Sequence, residues 1–188
     1  MIRISKAGKR KPLYGIGIND AEQVVTYCPY YRRWASMLTR CYGVDFKIYH
    51  SPYYGCSVCD EWLTFTTFKK WMKQQDWKGK CLDKDMLKHG NNVYGPDNCI
   101  FISQRLNSSI QNKPKGMYMR GVSLSGKKYR AIVSRDVIGH YDTEIDAYAA
   151  CCKARLVLML SMPEVITNTK LSEAVKGKVS AMIAEAAQ

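Results

Sequence analysis

The chain has 188 residues, with 29 Lys and Arg against 16 Asp and Glu, for a formal net charge of +13. A 46% hydrophobic content, with four Trp and 13 Tyr, excludes a wholly disordered chain and suits one or two small packed domains. No run of 18 apolar residues occurs, which excludes a spanning helix, and Met1–Lys6 lacks the apolar stretch of an export signal; a cytoplasmic chain is expected.

In chain order, residues 1–27 read as a basic, loop-rich arm carrying Lys9-Arg10-Lys11-Pro12, Gly15 and Gly17. Tyr30, Trp34, Met37, Leu38 and Cys41 recur on one face of a 3.6-residue period, which predicts a helix over 29–42 ended by Gly43. Residues 44–58 read as a Tyr- and Gly-containing loop. A second helix is predicted near Thr64, with Phe65, Phe68, Trp71 and Met72 on one face. Residues 76–104 form a polar, turn-rich block, and 111–117 read as a linker.

Beyond the linker the period changes from helical to alternating. Gly121–Leu124, Tyr129–Ser134 and Val137–Tyr141 read as three short strands, the first two joined by Ser125-Gly126-Lys127. Alternation puts Tyr129, Ala131 and Val133 on one face of the middle strand and Arg130, Ile132 and Ser134 on the other. Asp142–Asp146 has the acids of a capped helix start, followed by a stripe of Ile145, Tyr148, Ala149, Cys152, Leu156 and Met159. A last helix from about Leu171 shows Leu171, Val175, Val179 and Met182, with Gly177 weakening it.

The charge is unevenly placed. Residues 1–104 carry 16 basic and nine acidic side chains, 105–135 carry eight basic and no acidic ones, and 136–188 carry five basic and seven acidic. A long window without acids points to a polyanion, and nucleic acid is expected rather than a membrane surface. The eight Cys read as reduced thiols in such a chain. Cys56-Ser57-Val58-Cys59 has zinc-ligand spacing but no second close pair, with only Cys81, Cys99 and His50 nearby. Buried packing is therefore expected there, and at Cys151-Cys152, rather than structural zinc. Seven Tyr crowd residues 27–54, among them Tyr53-Tyr54, which helical spacing does not assign to a core.

Arg120-Gly121-Val122-Ser123, Lys128-Tyr129-Arg130-Ala131-Ile132, Ile138-Gly139-His140-Tyr141-Asp142-Thr143-Glu144 and Ala147-Tyr148-Ala149-Ala150 together resemble an AP2 DNA-binding domain over about 117–160. The resemblance implies a three-stranded sheet lying in the major groove and a supporting helix. It puts Arg120, Ser123, Arg130, Ile132 and Ser134 at the DNA contacts. The plant domains of that family have more Arg here, and Glu where Ile132 stands, so base preference does not carry over. The plain alternative is a small sheet–helix unit with incidental Arg.

Leu82-Asp83-Lys84-Asp85, then Tyr94-Gly95-Pro96-Asp97-Asn98-Cys99-Ile100-Phe101-Ile102-Ser103, through to Asn107, resemble the HNH (ββα-metal) nucleases of phages, many of which carry an AP2-like domain. The resemblance implies a catalytic group of Asp83, Lys84, Asn98 and Asn107, with Asp83 and Asn107 on a divalent metal, Mg or Mn. Asn98 and Asn107 keep the family's nine-residue spacing. Lys84 departs from it, standing where the general-base His belongs. Imidazole accepts a proton near neutral pH; lysine does so only when burial depresses its pKa greatly. His89 reaches the position only if the loop folds back, and Asp85 is a possible second oxygen ligand. The plain alternative is a turn-rich loop whose Asn and Asp side chains satisfy backbone groups.

The expected architecture is α+β. Residues 1–110 make an HNH-like domain with a basic arm, 111–117 a linker, 118–162 an AP2-like module and 163–188 a C-terminal helix. The expected function is binding of double-stranded DNA by a phage-type basic protein in the host bacterial cytoplasm. Arg120, Arg130, Lys113 and Lys115 would hold the duplex, and a metal-dependent HNH endonuclease (a hydrolase of phosphodiesters) would cut it. The alternatives are an inactive HNH-derived DNA-binding or host-interaction protein, and a decoy whose charge engages an acidic host partner.

Overall fold

Pro29 opens helix α1 (Pro29–Tyr42), where its missing N–H is no loss and its φ suits a first turn. The helix buries Trp34, Met37, Leu38 and Cys41 and ends as the Gly43 N–H bonds the Thr39 carbonyl at 2.9 Å. The chain is seen here in a computed structural model that describes residues 10–44, 53–111 and 116–188. It divides into two units, Met1–Asp85 with Gly90–Phe101, and Met86–His89 with Ile102–Gln188. Helices and three small sheets make it α+β, and no described helix is long and apolar enough to cross a membrane.

In the first unit α1 is followed by strand β1 (Ser57–Val58), a 3-10 turn (Asp60–Leu63) and helix α2 (Phe65–Lys73), which buries Phe65, Phe68 and Met72. Strand β2 (Lys80–Asp83) pairs with β4 (Ile100–Ser103), and β1 pairs in parallel with β3 (Val93–Tyr94). Strands β2, β3 and β4 divide the turn-rich block read between 76 and 104. They are too short to show a period of two. The core is aromatic: Trp34, Trp62, Phe65, Phe68 and Tyr94 are each 0–1% exposed, contributing roughly 1.5–3 kcal/mol apiece. The Trp34 indole N–H donates to the Trp62 carbonyl at 2.7 Å, so the polar edge of the ring is satisfied as well.

The described part of the basic arm is pinned to this unit. Arg10 donates to the Asn19 side chain at 2.9 Å and to the Ala21 and Gln23 carbonyls at 2.8 and 2.7 Å. Leu13 bridges to Gly17, and Ile18 bridges to Thr64. A Cβ on Gly17 would lie 2.3 Å from Leu38 Cδ1, so glycine alone lets the arm seat on α1.

The first helix of the second unit is α3 (Gln104–Ile110), capped by Ser103, whose hydroxyl accepts from the Leu106 N–H at 3.1 Å. Strands β5 (Val122–Ser125), β6 (Lys128–Val133) and β7 (Asp136–Tyr141) form an antiparallel meander. Helix α4 (Glu144–Leu160) follows, capped by Thr143, whose hydroxyl accepts from the Asp146 N–H at 3.1 Å. A short helix α5 (Pro163–Ile166), absent from the sequence reading, precedes α6 (Thr169–Ala186). Glu164 on α5 accepts from the Ser103 N–H at 3.0 Å and from its hydroxyl.

The buried face of α4 differs from the expected stripe. Ala147, Tyr148, Cys151, Cys152, Arg155 and Met159 are buried, while Ile145 is 41% exposed. One side of α4 packs on the sheet through Ala147 and Cys151, and another meets α6, so its buried arc is wide and takes in an arginine. Helix α6 buries Leu171, Val175, Val179 and Met182, the stripe its period predicts. The division of the chain falls at Phe101/Ile102, ahead of the expected linker, because α3 buries Leu106 and Ile110 within the second unit. Four of the seven linker residues, 112–115, including Lys113 and Lys115, lie outside the described residues, as does His50.

Candidate nucleic-acid interface

The three-stranded sheet has one covered face and one open face. Ala131 and Val133 are buried under α4 with Val122, Tyr129 and Tyr141 packed around them, as alternation along β6 predicts. The opposite face carries a polar row across all three strands. Ser123 pairs with Arg130, and Arg130 pairs with His140. The Arg130 Nε–H donates to the Ser123 hydroxyl at 3.4 Å, which leans the guanidinium across the strands. One row along, Ser125 pairs with Lys128, whose ammonium lies 3.2 Å from Asp142. That pair is largely exposed and adds little to stability.

The other end of the sheet is irregular. Ala131 pairs with Gly139 but Ile132 pairs with Val137, so Ile138 is an extra residue and β7 bulges. Ser134 is not on the strand as expected. Val133 pairs with Asp136, leaving Ser134 and Arg135 as a two-residue turn with φ of 54° and 91°. Turns of that hand favour Asn-Gly, and side chains such as these are strained in them. The turn holds Arg135 exposed at the sheet's tip.

Arg120, just before β5, donates through Nη1 to the Gln111 carbonyl and, at 3.5 Å, to the Ser109 carbonyl. Burial first, and then the charge of Arg155, lower its pKa below the ordinary arginine value. Arg155 is adjacent to Leu156, through which the apolar stripe of α4 runs in the sequence, so periodicity does not single it out. Its only sequence signal is its position three and four residues after Cys152 and Cys151. Lys128 shares the face of Arg130 by alternation along β6, while only strand register aligns His140 with Arg130 and Ser123.

In the first unit the residues around Lys84 are closely tied. Asp83 ends β2, and its carboxylate accepts from the Asp85 N–H at 3.0 Å. Lys84 is 8% exposed; its ammonium donates to the Asn91 carbonyl at 3.0 Å and the Asn92 side chain at 3.4 Å, and lies 3.5 Å from Asp85. Asn91 answers by donating to the Lys84 carbonyl at 2.6 Å and the Val93 carbonyl at 2.7 Å. Asn98 sits in the turn before β4, its N–H 3.3 Å from the Gly95 carbonyl. Asn107 lies on α3, in the second unit. His89, also in the second unit, pairs with Glu185 at 2.7 Å.

The cysteines are thiols rather than disulfides; Cys41, Cys56, Cys99, Cys151 and Cys152 are buried, while Cys59 is partly exposed. Burial pushes the Cys99 thiol up to about 12, with the Asp83 charge adding to the shift. Among the described residues no group of three His, Cys, Asp or Glu side chains is placed to hold a metal ion. No protein family, curated protein or solved structure matches the chain.

Proposed function

We propose that the chain is a phage-type protein that binds double-stranded DNA through the open face of β5–β7, an AP2-like module, in the host bacterial cytoplasm. The observation that carries this is the Ser123–Arg130–His140 row, with Lys128 one row along, on a sheet whose other face is covered by α4. The major groove admits a short β-ribbon, and guanidinium donors read guanine edges or grip phosphate. Arg120, Ile132, Ser134 and the linker residues Lys113 and Lys115 complete the contact surface. The test is duplex binding across a salt series. Affinity should fall with a log–log slope of about −4 for four or five phosphate contacts, and Arg130→Ala should weaken it about tenfold. A chain with no duplex affinity at physiological salt is instead a decoy for an acidic partner.

The central block supports an HNH-derived origin, since β2, β4 and α3 follow in strand–strand–helix order, with β3 between the strands, and carry or flank Asp83, Asn98 and Asn107. In that reading Asp83 is an oxygen donor that would hold Mg²⁺ or Mn²⁺, which would polarise a scissile phosphate. The catalytically inactive form of this reading is the one Lys84 favours. Its ammonium is a donor committed to Asn91, Asn92 and Asp85, and a donor cannot take a proton from water. Plasmid nicking with either metal separates the forms: tight shifts without nicking are expected. Nicking that Asp83→Ala or Asn107→Ala abolishes would establish the endonuclease and these residues together.

A further inference from the structure

The second unit contains a cavity of about 170 Å³ between the strained end of the sheet and two helices, lined among others by Ser109, Arg120, Ile132, Ser134 and Arg155. Arg120 and Arg155 both line this cavity, and among the described residues no carboxylate does. Among the described residues, neither arginine is in an ion pair.

Arg155 is 9% exposed. Its Nε–H donates to the Cys151 carbonyl at 3.4 Å, and Nη2 donates to the Cys152 sulfur at 3.1 Å, a weak acceptor. Among the described residues, Nη1 is buried with no hydrogen-bond partner. A buried cation without a counter-charge is costly, and a second cation beside it raises the cost. The lowering of Arg120 by burial and by Arg155 reports the same crowding of positive charge. The guanidinium also lies over the Tyr148 ring, 5.9 Å from its centroid. What a guanidinium adds is a planar fork of donors that fits an oxyanion.

We propose that this cavity is a phosphate-binding pocket, in which a tetrahedral phosphate group bridges Arg120 and Arg155 with the Ser109 and Ser134 hydroxyls at its rim. The phosphate comes from a DNA backbone or from a free phosphate ion. The first source rests on the sheet reading above, because Arg120, Ile132 and Ser134 belong to both surfaces. The pocket itself does not depend on it.

The experiment uses the full chain, with inorganic phosphate as probe against chloride at matched ionic strength, read by calorimetry and by thermal melting. Phosphate should bind and raise Tm. Arg155→Met and Arg120→Gln should each weaken it by about tenfold or more, as the loss of a charge-assisted pair predicts. Lys176→Gln on α6 should bind as the parent does. Circular dichroism checks that each variant folds, and Arg155→Lys, which keeps the charge but loses the fork, should also bind weakly. A parent with no phosphate-specific heat or Tm shift overturns the pocket, as does a folded Arg155→Met that binds phosphate unchanged. A labelled duplex distinguishes the sources. Displacement by phosphate beyond the chloride control identifies the backbone; phosphate binding without displacement identifies the free ion, with the pocket intact. Duplex binding that is lost in Arg130→Ala and unchanged in Arg155→Met, with no phosphate response, sinks the pocket and leaves the sheet reading standing.

Discussion

The two units treat buried positive charge in opposite ways. In the first, Arg10 is spent on the Asn19 side chain and on carbonyls of the arm, Arg40 on Tyr94 and the Leu82 carbonyl, and Lys84 on Asn91, Asn92 and Asp85. In the second, Arg155 holds a buried N–H with no partner among the described residues, beside a second arginine, and Arg130 lies across an open sheet face. A cation satisfied by its own chain is part of the architecture. One left unsatisfied costs stability and is retained for a partner. Arg10, Arg40 and Lys84 are therefore held by their own unit.

The largest effects should fall on the first unit's interior. Trp34→Ala should cost about 3–5 kcal/mol, by opening a cavity beside Phe65 and releasing the Trp62 carbonyl, read by chemical denaturation. Lys84→Met and Arg155→Met then form the decisive pair. Lys84→Met should destabilise by about 2 kcal/mol, since it strands the Asn91 carbonyl and the Asn92 oxygen; part of the Asp85 attraction is already screened, because that carboxylate is a third exposed. Arg155→Met should be neutral or stabilising by about 1 kcal/mol without phosphate. Equal destabilisation by the two would break the comparison.

Alkaline pH sharpens it further. Cys99 has a folded pKa of about 12 against an ordinary 9.0, so both states hold the proton below pH 9. Above 9 the unfolded chain releases it while the folded chain keeps it. Stability is therefore fully present below about 9 and is lost as pH rises toward 12, at up to about 1.4 kcal/mol per pH unit. Burial raises Tyr94 as well, which adds to the same slope. Melts between pH 8 and 10.5 measure it, and Cys99→Ser should flatten it. The smallest effects lie on the second unit's surface. Arg135→Gly should stabilise by about 1 kcal/mol, by relieving the positive φ, while weakening duplex binding. Gly177→Ala, in open space on α6, should stabilise by about 1 kcal/mol with binding unchanged.

Helices were the most legible elements. The period of Trp34, Met37, Leu38 and Cys41, and that of Leu171, Val175, Val179 and Met182, gave both the element and its buried face, because each helix packs on one side. Helix α4 was legible as a helix, but its face was misread, since sheet and α6 bury it from two directions. The candidate site was partly legible. Arg130, Ile132 and Lys128 follow from alternation along one strand, whereas His140 joins them only through register.

By itself, then, the sequence determined the α+β class, the main helices, the three-strand meander and the acid-free window of charge, all of which are local patterns of period and composition. Tertiary structure alone decided which charges are available. Whether an arginine or lysine is consumed or left over depends on carbonyls and carboxylates far along the chain. Arg10 reaches across 13 residues to Gln23 and Arg40 across 42 to Leu82, while Arg155 buries an N–H that nothing among the described residues meets.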